Sequence, residues 1–127
     1  MRNLEPPSIL IIDDEEDVVA ALAFRFGSAG YDAMFEPNGQ LGFQTAIDSR
    51  PNLILLDVMM PGLDGFEVLR MLRARDETRS TPIIMLTTKS MMRDVEQAFA
   101  DDADDYMTKP FDWDRLLNKV ERLIGTR

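Results

Sequence analysis

LILLDVMMPGLDG, residues 53–65, places a carboxylate and a set of chain breakers directly after an unbroken apolar run. Leu53 to Leu56 has no polar interruption, the pattern of a strand buried on both faces. Asp57 follows at once, and Pro61, Gly62 and Gly65 then break regular structure. A charge that ends a buried strand is expensive unless something compensates it. The rest of the chain therefore has to supply a reason for Asp57.

Three more runs share this form: Ile9–Ile12, Ile83–Leu86 and a weaker one at Tyr106–Met107, with Ala33–Phe35 as a fifth strand. Segments with helical spacing separate them. Val19, Leu22 and Phe26 share one face of a first helix that Gly27 and Gly30 should end. Leu41–Ile47 forms a second helix; Phe66, Leu69 and Leu72 mark a third; Met92, Val95 and Phe99 mark a fourth. Asp112 can cap a fifth, in which Leu116, Leu117, Val120, Leu123 and Ile124 line one side before Gly125. Five alternations of strand and helix predict an α/β domain with a doubly wound parallel sheet. Ligands of such sheets sit beyond the carboxyl ends of the strands.

Composition narrows the functional classes. At 127 residues with 45% hydrophobic content, the chain suits one domain, residues 1–127 with a core of about 8–125. There is no cysteine, hence no disulfide framework or thiolate site. The formal net charge of −9 argues against a nucleic-acid partner. MRNLEPPS leads into an apolar run too short for a signal peptide or a membrane span, so a cytoplasmic protein without a membrane partner is expected.

The residues leaving each run are the informative ones. Asp13 and Asp14 follow Ile12, Asp57 follows Leu56, Thr87 follows Leu86, and Lys109 leaves the last run before Pro110. Each alone has an ordinary structural role: an acidic helix cap, a turn residue, a strand end, a surface charge. Together they bring three carboxylates, a hydroxyl and an ammonium to one edge of the sheet. Lys109 cannot neutralise three clustered carboxylates, whereas a hard divalent cation can, and an all-oxygen set with open positions suits Mg2+. Beside such an ion Asp57 could attack phosphorus and form an aspartyl phosphate, with Lys109 and the Thr87 hydroxyl sharing the oxygen charge.

At this point IIDDEED, LLDVMMPGLDG, MLTT and DDYMTKPF resemble the bacterial two-component response-regulator receiver domain, over essentially the whole chain. The resemblance implies the flavodoxin-like (βα)5 fold with strand order 2-1-3-4-5, an order for which a chemotaxis receiver is a standard example. It implies that Asp57 is the phosphoacceptor, that Asp14, Asp57 and the backbone carbonyl of Met59 ligate Mg2+ directly, and that Asp13 acts through water. Lys109 matches the phosphate-binding lysine, Thr87 and Tyr106 the switch pair, and Lys109-Pro110 a cis bond. The implied partners are a sensor histidine kinase or a histidine phosphotransfer protein, and a downstream target bound by the face of helix 4, strand 5 and helix 5. A phosphorylation-dependent homodimer could use the same face. On that face Met91 is expected to be exposed and Met92 to fill core.

Two positions depart from the family. Asp102 stands where glycine is common, so any left-handed conformation there would be strained. Met59 cannot orient water by hydrogen bonding, which predicts an aspartyl phosphate that is not especially short-lived. It also weighs against a phosphohydrolase of the haloacid dehalogenase type, which needs an acid two residues after the nucleophile. A flavin or nucleotide carrier would need a glycine-rich phosphate loop, and none is present. A scaffold that never takes phosphate would leave the acidic set a coincidence. The expected protein is thus a signalling switch, catalysing only its own phosphorylation and dephosphorylation. Its short tail after helix 5 fits either a stand-alone receiver or a piece of a longer regulator.

Overall fold

The computed structural model of the protein describes residues 5–99 and 102–125. Its strands are β1 (Ser8–Ile12), β2 (Asp32–Glu36), β3 (Leu53–Asp57), β4 (Ile83–Thr88) and β5 (Asp105–Lys109). They form one parallel sheet in the order β2-β1-β3-β4-β5, as expected. The helices are α1 (Glu16–Ser28), α2 (Gly39–Ser49), α3 (Gly65–Arg73), α4 (Met92–Phe99) and α5 (Trp113–Ile124). None of the described helices is long and apolar enough to cross a membrane.

The period of two along each strand divides the core into two layers. Leu10, Ile12, Ile54, Leu56, Ile83 and Met85 face α2, α3 and α4 and pack with Ala46, Leu69, Leu72 and Val95. Ile9, Ile11, Leu53, Leu55, Ile84 and Leu86 face α1 and α5 and pack with Leu22, Phe26, Leu116 and Val120. Residues 53–56 are wholly buried because both layers use the central strand. Each such leucine or isoleucine contributes about 1.5–3 kcal/mol on burial. This double cover explains the unbroken apolar run around which the chain is organised.

Local signals set the helix ends. Asn38 caps α2 by accepting from the Leu41 N–H at 2.9 Å. Asp64 and Glu67 form a reciprocal capping box at α3. Asp112 caps α5 as expected, accepting from the Asp114 N–H at 3.0 Å. Helix α1 does not stop at Gly27; it runs to Ser28, and Gly30, at φ 96°, makes the left-handed exit. Glycine lowers helix propensity without forbidding the helix, so packing of Phe26 carries the helix through it.

Several expectations about the fourth helix need correction. Met91, expected to be exposed, packs against the first core layer from a 3-10 turn (Lys89–Met91). Met92, expected in the core, lines a surface groove with Lys89, Arg93 and Tyr106. That turn precedes the helix proper, which starts only at Met92. Val95 is buried as expected, and the side chain of Phe99 lies outside the described residues. Asp102 does not adopt a left-handed conformation; among the described non-glycine residues only Arg50 does, at φ 48°. The Asp102 carbonyl instead accepts from Arg73 Nε at 2.8 Å, and the same guanidinium binds the Thr81 carbonyl at 2.7 Å and Asp104 at 3.0 Å. One arginine thus fixes the loops entering β4 and β5.

Gly65 is the tightest approach near the end of β3. Its N–H donates to the Val58 carbonyl at 2.9 Å, and a Cβ there would run into the Asp57 carbonyl oxygen and lie 2.8 Å from Val58 Cα. Gly27, in contrast, has open space where its Cβ would go. Gly65→Ala should therefore cost about 1–3 kcal/mol through backbone overpacking. Gly27→Ala should stabilise by about 0.5–1 kcal/mol by removing helix-interior glycine. Urea titration of both variants checks the opposite signs.

Candidate functional site

Strand register brings the polar residues together. Ile12 pairs with Leu56, so β1 and β3 end level, and Asp13 and Asp57 emerge side by side. Asp57 pairs with Leu86, so Thr87 lies one step further along β4, and Thr88 pairs with Lys109 on β5. Carboxylate oxygens of Asp13, Asp14 and Asp57 all lie within 4.8 Å of one another. Asp13 and Asp57 are buried, whereas Asp14 is exposed.

Lys109 is the ammonium of this cluster. Its Nζ lies 2.7 Å from Asp13 Oδ2, 2.7 Å from Glu15 Oε1 and 3.5 Å from Asp57 Oδ1. Burial pulls its pKa down, but the bonds to Asp13 and Glu15 and the nearby Asp57 outweigh that and hold it above the usual lysine range. Asp57 receives the weakest share of this charge. Its other compensation is a long hydrogen bond, 3.4 Å, from the Met59 N–H. Burial first, and then repulsion from Asp13, push its carboxyl up to about 6 against the pull of Lys109.

Asp13 has a second task. Its Oδ1 accepts from the Glu15 N–H at 2.9 Å, which fixes the β1–α1 turn. An acidic cap on α1 was a sequence-level alternative for Asp13 and Asp14. In the structure Glu15 occupies the cap position, and no side chain caps the helix. The Asp14 carboxylate makes no hydrogen bond or ion pair among the described residues.

The hydroxyl residues lie on the other sheet face. Thr87 is in step with Ile83 and Met85 of the first core layer, against which Tyr106 also packs. The Thr87 oxygen is buried without a hydrogen-bond partner, and the Tyr106 hydroxyl is withdrawn from solvent. A buried hydroxyl without a partner costs free energy, so the Thr87 O–H is free to donate to an acceptor brought beside it. The Lys109-Pro110 bond is cis.

This donor set fits a hard cation. Three oxygen donors converge, one of them carries no compensating contact, and burial raises the cost of ionising Asp57; a divalent ion would relieve all of these together. Of the residues that sequence reasoning singled out, Asp13, Asp14, Asp57 and Lys109 come together, and Thr87 stands at the end of the neighbouring β4. That reasoning missed Glu15, whose signal was its place in the acidic run after β1.

A family profile, the response regulator receiver domain, matches residues 9–121. The chain is 40% identical over 118 residues to the DNA-binding dual master transcriptional regulator RpaA of Synechocystis sp., covering 93% of this chain and 49% of that protein. It is 43% identical over 116 residues to the alkaline phosphatase synthesis transcriptional regulatory protein PhoP of Bacillus subtilis, covering 91% and 48%. It thus spans about half the length of these curated relatives. The receiver domain of a sensor histidine kinase from Pseudomonas aeruginosa PAO1, solved with a magnesium ion coordinated in its active-site cleft, matches with a TM-score of 0.86. That match has 30% identity over 95% of this chain and 99% of the other.

The raised Asp57 pKa sets a stability profile for the metal-free protein. Between the ordinary value of 3.8 and about 6, the folded chain holds a proton that the unfolded chain has lost. Stability from this group therefore falls as pH rises through that window and stays low above it. Asp57→Asn should melt higher than wild type at pH 8 in chelator, with the difference closing towards pH 4. Thermal melts across that range check it.

Proposed function

The chain belongs to the response regulator receiver family, and on that premise we propose that residues 8–125 form one receiver unit whose phosphoacceptor is Asp57. The observation carrying this reading is the meeting of three carboxylates at the ends of β1 and β3, with Lys109 3.5 Å from Asp57. The phosphoryl group comes from the phosphohistidine of a sensor histidine kinase or a histidine phosphotransfer protein and is transferred to an Asp57 carboxylate oxygen. Raised by burial, this carboxylate is a stronger base than a surface aspartate and so a better nucleophile once ionised.

Asp14, Asp57 and the Met59 carbonyl would hold Mg2+ directly, and Asp13 through water. When bound, the ion screens the acids from the incoming phosphoryl oxygens. Lys109 binds one of those oxygens. Thr87 turns its partnerless hydroxyl to another, and Tyr106, packed on the same sheet face, follows the space this opens. The output is a changed surface on α4, β5 and α5, read by a downstream protein or by a second copy. We place the switch in the cytoplasm.

Met59 supports a phosphoryl group that persists. Its side chain is 57% exposed, and a thioether neither gives a proton to a leaving group nor orients water. That also weighs against the phosphohydrolase reading. Catalysis by the chain is then confined to its own phosphorylation and dephosphorylation.

Acetyl phosphate with Mg2+ should add a single labile phosphoryl group, seen by intact mass and a phosphate-affinity gel. Asp57→Ala should abolish it, and a chelator should prevent it. Label persisting in Asp57→Ala would sink the assignment. Met59→Asn should shorten the lifetime of the phosphorylated form severalfold, measured by loss of label after donor removal.

A further inference from the structure

We propose that Glu15 is a positioning residue, which draws the Lys109 ammonium away from Asp57 in the resting protein and gives way when a phosphoryl group is bound. This rests on Asp57 being the phosphoacceptor. Lys109 has three N–H donors. One is committed to Glu15 in a 2.7 Å hydrogen bond and the ammonium is paired with Asp13 at 2.7 Å, while Asp57 at 3.5 Å is beyond a good hydrogen bond. The lysine expected to serve the phosphoryl group is therefore held elsewhere.

The two 2.7 Å pairs are not equivalent. The Asp13 side chain is fully buried, so its pair with Lys109 is costly to break. The Glu15 side chain is 58% exposed, and its pair faces water. When a phosphoryl group brings new anionic oxygens to Asp57, Glu15 is the partner that Lys109 can leave cheaply. The backbone of Glu15 stays fixed meanwhile: its N–H donates to Asp13 Oδ1 at 2.9 Å, and its carbonyl accepts from the Val19 N–H at 3.0 Å. Only the side chain has to move.

A second observation points the same way. Glu15 occupies the cap position of α1, with φ −90° and ψ 104°, yet its side chain makes no capping bond. The carboxylate is spent on a lysine 94 positions away rather than on its own helix. Glu15 also adds a negative charge on the approach to Asp57, which opposes an anionic donor. Both effects slow phosphorylation.

The test is the rate of labelling by acetyl phosphate and Mg2+ in wild type, Glu15→Gln and Glu15→Asp. Glu15→Gln should label faster by about two- to fivefold, the range of one exposed ion pair. Glu15→Asp keeps the charge but is one methylene too short for the contact, so it too should label faster than wild type. The advantage of Glu15→Gln should shrink at high salt, a dependence that a purely structural role of the side chain would not show. A wild-type protein that takes no label would defeat the phosphoacceptor reading itself. A labelled wild type matched by an equally slow Glu15→Gln would overturn the role of Glu15. So would Glu15→Asp at the wild-type rate beside a fast Glu15→Gln, since the contact would then not matter.

Discussion

One ammonium among four carboxylates is the constraint on which the site depends. Lys109 is shared by Asp13, Glu15 and Asp57, and Asp14 stands beside them with nothing. Such a cluster is poor structural design, because each buried acid raises the cost of ionising the next. The imbalance is useful only if positive charge arrives from outside and negative charge follows it. Burial of the apolar central strands offsets that cost. Four wholly buried residues precede Asp57 on β3, and four precede Asp13 on β1.

Parallel strands make that arrangement possible with few residues. Every strand delivers its last residue to the same edge, so short loops are enough to gather groups far apart in sequence. Asp13 and Asp57 lie level because β1 and β3 pair in register. Gly65 then lets α3 start directly against the Asp57 backbone, where any side chain would collide. The loop between them can thus supply the Met59 N–H to Asp57.

Much of this could be read from the chain itself. Unbroken apolar runs such as Leu53–Leu56 are hard to read as anything but central strands, and the acids that follow Ile12 and Leu56 are the ones that meet at the sheet edge. What could not be read was finer than the element. Gly27 looks like a helix end, but helix ends are set by competing packing as much as by propensity, and Phe26 won. Met91 and Met92 exchanged places where a 3-10 turn precedes the helix, which periodicity alone does not reveal. Glu15 was hidden for another reason. In a run of five consecutive acids, only a three-dimensional contact distinguishes the one that reaches Lys109 from its solvated neighbours.

The period of two also separates chemistry from its readout. Asp13 and Asp57 continue the odd-numbered sequence of Ile9, Ile11, Leu53 and Leu55, the layer covered by α1 and α5. Thr87 continues Ile83 and Met85, and Tyr106 packs on that same layer, the one covered by α2, α3 and α4. The acids and the hydroxyls thus belong to opposite faces and meet only beyond the strand ends. A group bound there is the one object that touches both layers at once. The buried central strands keep the two faces apart, so only a group seated beyond their ends could couple the acids of one layer to the hydroxyls of the other.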